Sequence, residues 1–136
     1  MAWDPTRPAD LLAAMPFADG LGIDLTGAAA EHASGTLSWS SDLCTSGAPL
    51  HGGVLMTLAD TVGAVCAYLN LPQGADTSTV ESKTNFFRPV RAGTVEAVAH
   101  PLHIGRSFIV VQTDVFEVRE RVLVGQTTQT QTVRTR

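Results

Sequence analysis

Asp60 is the only charged residue between His51 and Leu71. Around it, apolar residues recur at Val54, Leu55, Leu58, Ala59, Val62, Val65 and Leu69 and fill most positions between. That spacing predicts a helix that is hydrophobic nearly all round. An unpaired carboxylate costs several kcal/mol to bury, so Asp60 has a partner, faces a cavity or reaches across a subunit boundary. Such a group suits a general base, or it is a structural Asp bonded to backbone or threonine. The same helix opens on His51-Gly52-Gly53. Adjacent glycines cost a helix roughly 1 kcal/mol each relative to Ala. They also leave backbone N–H groups bare at the positive end of the helix dipole, where an oxyanion or polarised carbonyl can sit. The plainer reading of the glycines is close packing of loop on strand.

The elements that must hold these groups read as follows. Asp10 to Phe17 is a short amphipathic helix stopped near Pro16, and Ala18-Asp19-Gly20 a turn. Leu21 to Thr26 starts a strand, Glu31 to Ser40 forms a second, and Ser41 to Pro49 is a polar loop. The helix of His51 to Leu71 ends at Pro72-Gln73-Gly74. Four strands follow, over Thr77–Phe87, Thr94–His103, Ser107–Val118 and Val122–Thr135, with turns at Arg91-Ala92-Gly93, Ile104-Gly105-Arg106 and Glu120-Arg121. The Thr/Gln run of the last strand reads as a solvated face. This order predicts an α+β fold in which an antiparallel sheet curls around one central helix. Sheet edges left open then call for a partner chain.

Composition bounds the rest. The 136 residues suit one domain, with 44% hydrophobic and 16% charged residues, a globular balance. A net charge of −4 without a Lys/Arg run leaves no case for nucleic acid. Cys44 and Cys66 are too few for a disulfide framework and read as buried thiols. His32, His51, His100 and His103 lack ligand spacing, so no metal is expected. With no signal-peptide pattern and a carboxylate inside the longest apolar stretch, the expectation is a cytoplasmic protein that neither enters nor binds a membrane.

Three elements in order carry a family resemblance. His51-Gly52-Gly53 with Asp60 nine residues after the His resembles the PaaI-type hotdog-fold acyl-CoA thioesterases. Phe86-Phe87-Arg88-Pro89-Val90-Arg91-Ala92-Gly93 resembles that family's F-x-R-P-V-R-x-G segment, and His103-Ile104-Gly105-Arg106-Ser107 its next turn. The similarity runs over about residues 10 to 135. It implies one hotdog domain over 1–136, with residues 1–9 as an N-terminal arm, in homodimers or homotetramers with sites at the subunit interface. By the same resemblance, the Gly52 N–H polarises a thioester carbonyl. Asp60 of the opposite chain acts as base or nucleophile. His51 orients the loop, and Thr79 helps place the water. Arg88, Arg91, Arg106 and Ser107 stand at strand ends or turns, where they can hold the phosphates of coenzyme A. CoA is then part of the substrate, and no cofactor is implied.

One departure stands out. Many members of that family carry Asn or Gln six residues before the His, where this chain has Thr45, which keeps a hydroxyl but loses the amide. The implied reaction is hydrolysis of an aromatic (phenylacetyl or hydroxybenzoyl type) or medium-chain acyl-CoA, with Leu55, Met56 and Phe87 near the acyl group. The alternative is a non-catalytic acyl-CoA-binding hotdog protein. A hydratase is disfavoured, because Asp42 and His51 stand nine apart and the acid lies inside the helix.

Overall fold

The computed structural model describes Ala2 and residues 4–135. Two short helices open the chain, α1 (Pro8–Ala13) and α2 (Pro16–Leu21). Then come β1 (Asp24–Ala28), β2 (Ala33–Ser38), a 3-10 turn at Ser41–Leu43 and the long helix α3 (Gly52–Tyr68). Four strands complete the fold: β3 (Thr79–Phe86), β4 (Thr94–Ile104), β5 (Phe108–Glu117) and β6 (Val122–Thr132). All pairings are antiparallel, in one six-stranded sheet of order β1-β2-β4-β5-β6-β3. This is the hotdog arrangement expected, with α3 packed against the sheet through β2, β4, β5 and β6.

The apolar core lies between α3 and the middle of the sheet. Leu58, Val62 and Cys66 of α3 are fully buried, as are Val95, Ala97 and Ala99 of β4 and Ile109 and Val111 of β5. Alternation along β4 and β5 puts every second side chain on that face. Gly35 lets β2 approach the helix: a Cβ there would lie 2.9 Å from Val62 Cγ2 and 3.2 Å from Asp24 O. The helix keeps one open stripe at Gly53, Met56, Thr57, Asp60 and Ala64, residues three and four apart on one face.

Two expectations need correction. Pro16 does not simply stop a helix. Proline supplies the φ and needs no N–H in a first turn, and Pro16 starts α2, which takes in Ala18, Asp19 and Gly20 and ends on Gly22 at φ 94°. α1 likewise begins at Pro8, inside the stretch read as an arm. The second correction concerns β6, whose Thr/Gln run is not solvated. Thr127, Gln129 and Gln131 are buried, as is Thr113 opposite Thr127 on β5. The strand's period of two turns them toward α3, and the β6 side of the sheet floor is polar.

β3 closes one edge of the sheet, and seven of its eight residues are exposed. Val80 and Phe86 on it and Phe87 just beyond are exposed large apolar side chains. Among the described residues, no helix is long and apolar enough to cross a membrane.

Candidate functional site

Asp60 sits on the open stripe of α3 and is half-buried. It has both a partner and a cavity, two of the three arrangements its position called for. Gln129 Nε2 donates to Asp60 Oδ1 at 3.3 Å, and Thr79 Oγ1 lies 3.4 Å from the same oxygen. Oδ2 has no hydrogen bond among the described residues. Behind the carboxylate the contacts continue. Gln129 Nε2 also donates to Gln131 Oε1 at 2.9 Å, Thr79 Oγ1 donates to Gln131 Oε1 at 2.6 Å, and Gln131 Nε2 donates to Thr77 Oγ1 at 3.2 Å. A cleft of about 540 Å³ opens in front of Asp60, lined also by Met15, Phe17, Gly53, Met56 and Ser82. Its wall is mostly thioether, aromatic ring and alkyl.

The start of α3 is built from its cap. His51 is the N-cap, and its Nδ1 accepts from Gly53 N at 2.8 Å. Val54 N and Leu55 N donate to His51 O at 2.9 and 3.4 Å. The Gly52 N–H alone in this turn has no acceptor among the described residues. An unspent N–H at the positive helix end is a ready donor to a carbonyl oxygen. Gly52 faces the Phe86 ring, 3.2 Å from where its Cβ would stand. With Leu50, Leu55, Phe87 and Arg88 the two line a second groove of about 310 Å³.

Thr45 lies in the exposed loop before this cap, where its N donates to Pro49 O at 3.0 Å. The loop is strained: Ala48, not a glycine, takes φ 77° beside Gly47 at 86°. Trp39 Nε1 donates to Ala48 O at 3.0 Å and Arg91 Nη1 to Gly47 O at 2.8 Å, which holds it in place.

The expected residues fall into two groups. At one end of the sheet are Asp60, Thr79 and the Gly105–Ser107 turn, the last tied to the end of β6 by Val133 N donating to Ser107 O at 2.8 Å. At the other end are His51, Gly52, Thr45, Arg88 and Arg91. Eight residues of helix, about 12 Å of rise, separate Gly52 from Asp60. The ten steps of β4, about 33 Å, separate the Arg88–Arg91 segment from Arg106 and Ser107. One chain therefore does not bring the three arginines together. Arg88 and Arg106 are exposed and make no hydrogen bond or ion pair among the described residues, whereas Arg91 is engaged with Gly47.

Gln129, Gln131 and Ser82 escaped sequence reading. For the glutamines a signal existed: alternation from Gly125 places residues 127, 129 and 131 on the face toward α3, and a half-buried acid needs donors. Ser82 had none, being one hydroxyl in an exposed strand.

Residues 49–124, more than half of the chain, match the family model of the thioesterase superfamily. The 1,4-dihydroxy-2-naphthoyl-CoA hydrolase of Escherichia coli is 34% identical over 73 residues, which covers 54% of this chain and 54% of that enzyme. The chain spans about half the length of this and similar relatives. A thioesterase from Haemophilus influenzae superposes with a TM-score of 0.87 at 29% identity, over 98% of this chain and 94% of the other. A mutant of the phenylacetic acid degradation protein PaaI from Thermus thermophilus gives 0.79 at 27% identity, over 86% and 97%. The chain belongs to the thioesterase superfamily, and it has the hotdog fold of that family's PaaI-like members.

Proposed function

We propose that the protein hydrolyses acyl-CoA thioesters in the cytoplasm, at composite sites shared by two chains. The observation that carries this reading is the distribution of two unspent groups. The free Gly52 N–H lies at one end of β3 and the Asp60 carboxylate, with Oδ2 open, at the other. The edge of β3 between them has no partner strand among the described residues. Pairing two copies antiparallel along β3 about a two-fold axis sets the Asp60 end of one chain against the Gly52 end of the other. The homodimer then holds two such sites, and two dimers can stack into a tetramer.

In each site the thioester carbonyl oxygen accepts the Gly52 N–H, which stabilises the charge that develops on it. Asp60 Oδ2 takes a proton from water as the water oxygen bonds to the carbonyl carbon. The C–S bond then breaks, and CoA leaves as a thiolate that is protonated to the thiol. In the nucleophilic variant Oδ2 itself bonds to the carbon, and water cleaves the resulting anhydride. Thr79 spends its proton on Gln131, so its oxygen is free to accept from the water. His51 fixes the helix start. Arg88 at the Gly52 end and Arg106 with Ser107 at the Asp60 end supply the cations and hydroxyl for CoA phosphates. Arg91 secures the Thr45–Ala48 loop and thereby the groove. Phe17, Met15 and Met56 favour an aromatic acyl group, since thioethers pack well on rings. The E. coli relative named for a naphthoyl-CoA points the same way.

Two variants test this reading. Asp60→Asn removes the base. Gly52→Pro removes the N–H and keeps the backbone path: proline is favoured at the first helical position, His51 at φ −59° and ψ 135° already has the conformation a following proline requires, and the exposed Phe86 ring, 3.2 Å from the new Cβ, has to give by a few tenths of an ångström. Each alone is expected to lower kcat on aromatic acyl-CoAs by about a hundredfold or more. Mixing the two after unfolding and refolding should restore about one quarter of wild-type activity, because half of the random pairs hold one intact site of two. Absence of thiol release by wild type across aromatic and aliphatic acyl-CoAs would leave the protein a binder. Absence of recovery in the mixture would put both groups in one chain.

A further inference from the structure

We propose that Gln129 and Gln131 are positioning residues. They form a buried carboxamide relay that fixes Asp60 Oδ1 and thereby leaves Oδ2 as the oxygen that acts. The inference rests on the reading of Asp60 as the acting group and extends it to two residues that never meet substrate.

Burial is the first ground. Gln129 and Gln131 are 0% and 1% exposed, in a core whose other half is aliphatic. A carboxamide there costs stability unless its N–H and C=O groups are matched, so a buried pair needs a reason. The hydrogen bonds supply one, because the carboxylate dictates the direction of the whole chain. Asp60 Oδ1 only accepts, so Gln129 must present Nε2 to it, at 3.3 Å. The second Gln129 N–H then goes to Gln131 Oε1 at 2.9 Å. Gln131 Oε1 also takes the Thr79 hydroxyl proton at 2.6 Å, and Gln131 Nε2 is left to donate to Thr77 Oγ1 at 3.2 Å. Reversing the Gln129 amide would aim one oxygen at two acceptors. The orientation in turn accounts for the orphan at its far side: Gln129 Oε1 has no hydrogen-bond partner among the described residues, nor has Thr113 Oγ1 near it. A fully buried acceptor left unmatched is the cost of turning both N–H groups toward Asp60 and Gln131.

Packing is the second ground. The Gln129 side chain lies against Gly63, one helical turn beyond Asp60 on α3; a Cβ at Gly63 would overlap Gln129 Oε1 and lie 2.8 Å from Cδ. The bare helix surface at Gly63 is what admits the carboxamide to the level of Asp60. Helix, glycine, glutamine and acid thus fix one another, and Oδ1 cannot rotate toward the cleft without giving up its donor.

The test has two arms. In the first, the side-chain amide of Gln129 is followed by 15N NMR in wild type and Asp60→Ala. The expected result is a downfield amide proton, slow to exchange, that moves upfield and exchanges faster once the acid is gone. An unmoved signal overturns the relay, whatever the protein's activity. In the second, Gln129→Met, similar in shape but without a donor, is assayed against wild type, with circular dichroism confirming the fold. Loss of such a supporting contact should lower kcat about 10- to 100-fold with KM within about twofold. In the Asp60→Asn background the same change should cost nothing further. An unchanged kcat, or an equal loss in both backgrounds, overturns the positioning role. Gln131→Met, one contact further away, should lower kcat less than Gln129→Met. Wild type inert toward every thioester would defeat the functional reading alone, and the NMR arm would still decide the relay.

Discussion

Two helical glycines should respond to alanine with opposite signs. Substituting Gly63 adds a methyl group where the sheet floor is tightest. The new Cβ would overlap Gln129 Oε1, lie 2.8 Å from its Cδ and stand 3.1 Å from Thr113 Oγ1. Carbon atoms settle at about 3.5 Å or more, so the carboxamide has to retreat by ~0.7 Å. It cannot retreat freely, because Nε2 is bonded to Asp60 and Gln131 and the residue is wholly enclosed. Overpacking of this kind costs about 1–3 kcal/mol. A stretched buried hydrogen bond adds about 1 kcal/mol. Against this, alanine in a helix gains about 1 kcal/mol over glycine. The balance for Gly63→Ala is a loss of about 2 kcal/mol, or about 8 °C in Tm for a chain of this length. Gly20 in α2 has nothing within 4 Å of its would-be Cβ and does not occupy the left-handed region. Gly20→Ala should therefore gain about 0.5 kcal/mol, or ~2 °C. Urea and thermal unfolding of the two variants beside wild type measure both signs. A Gly63→Ala protein as stable as wild type would refute the packing of Gln129 under α3.

Two further outcomes follow from single residues. Ala48 at φ 77° stands in a region that costs a side-chain-bearing residue about 1–2 kcal/mol. Ala48→Gly should therefore raise the urea midpoint, with a net gain of ~0.5 kcal/mol after the greater unfolded-state freedom of glycine; a lower midpoint would show the loop unstrained. Burial, with a smaller contribution from Glu31, pushes the Cys66 thiol up from 9.0 to about 11. The folded protein thus keeps a proton that the unfolded chain releases, so this residue leaves stability level below pH 9 and lowers it from there to about pH 11. Cys66→Ala should flatten that alkaline slope, and an identical slope in the variant would exclude the thiol as its source.

The elements were legible in the sequence because each had an undiluted period. The apolar run from Val54 to Leu69 could only be a wrapped helix, and alternation in β4 and β5 marked their inner faces. Polarity misled where it opposed position. Gln129 and Gln131 looked solvated by composition, while the period of two already assigned them to the face under α3. Pro16 was read through its inability to continue a helix, although its fixed φ equally starts one. At the candidate site, His51, Gly52 and Asp60 were found because an isolated acid and paired glycines are costly anomalies in an apolar helix. The placement of Arg88 and Arg106 at opposite ends of β4 was already implicit in the turns read on either side of that strand; what was not legible was the bond from Arg91 to Gly47 O, which depends on how the Thr45–Ala48 loop folds back.

The sheet floor joins two materials, aliphatic side chains on β4 and most of β5 and a threonine–glutamine lattice on β6. They should drift differently over many generations. Aliphatic packing is isotropic, so an exchange among Val, Ile and Leu can be absorbed by neighbours shifting slightly. The lattice is directional, with each amide's heading set by the one before it and finally by an acid. A substitution there has no small version: one reversed carboxamide obliges the rest to reverse or fall silent. Sequence variation tolerated in β4 and β5 is thus a poor guide to what β6 can accept, and a sequence library built to alter this chain's acyl preference has more freedom in the cleft wall than in the strand behind it.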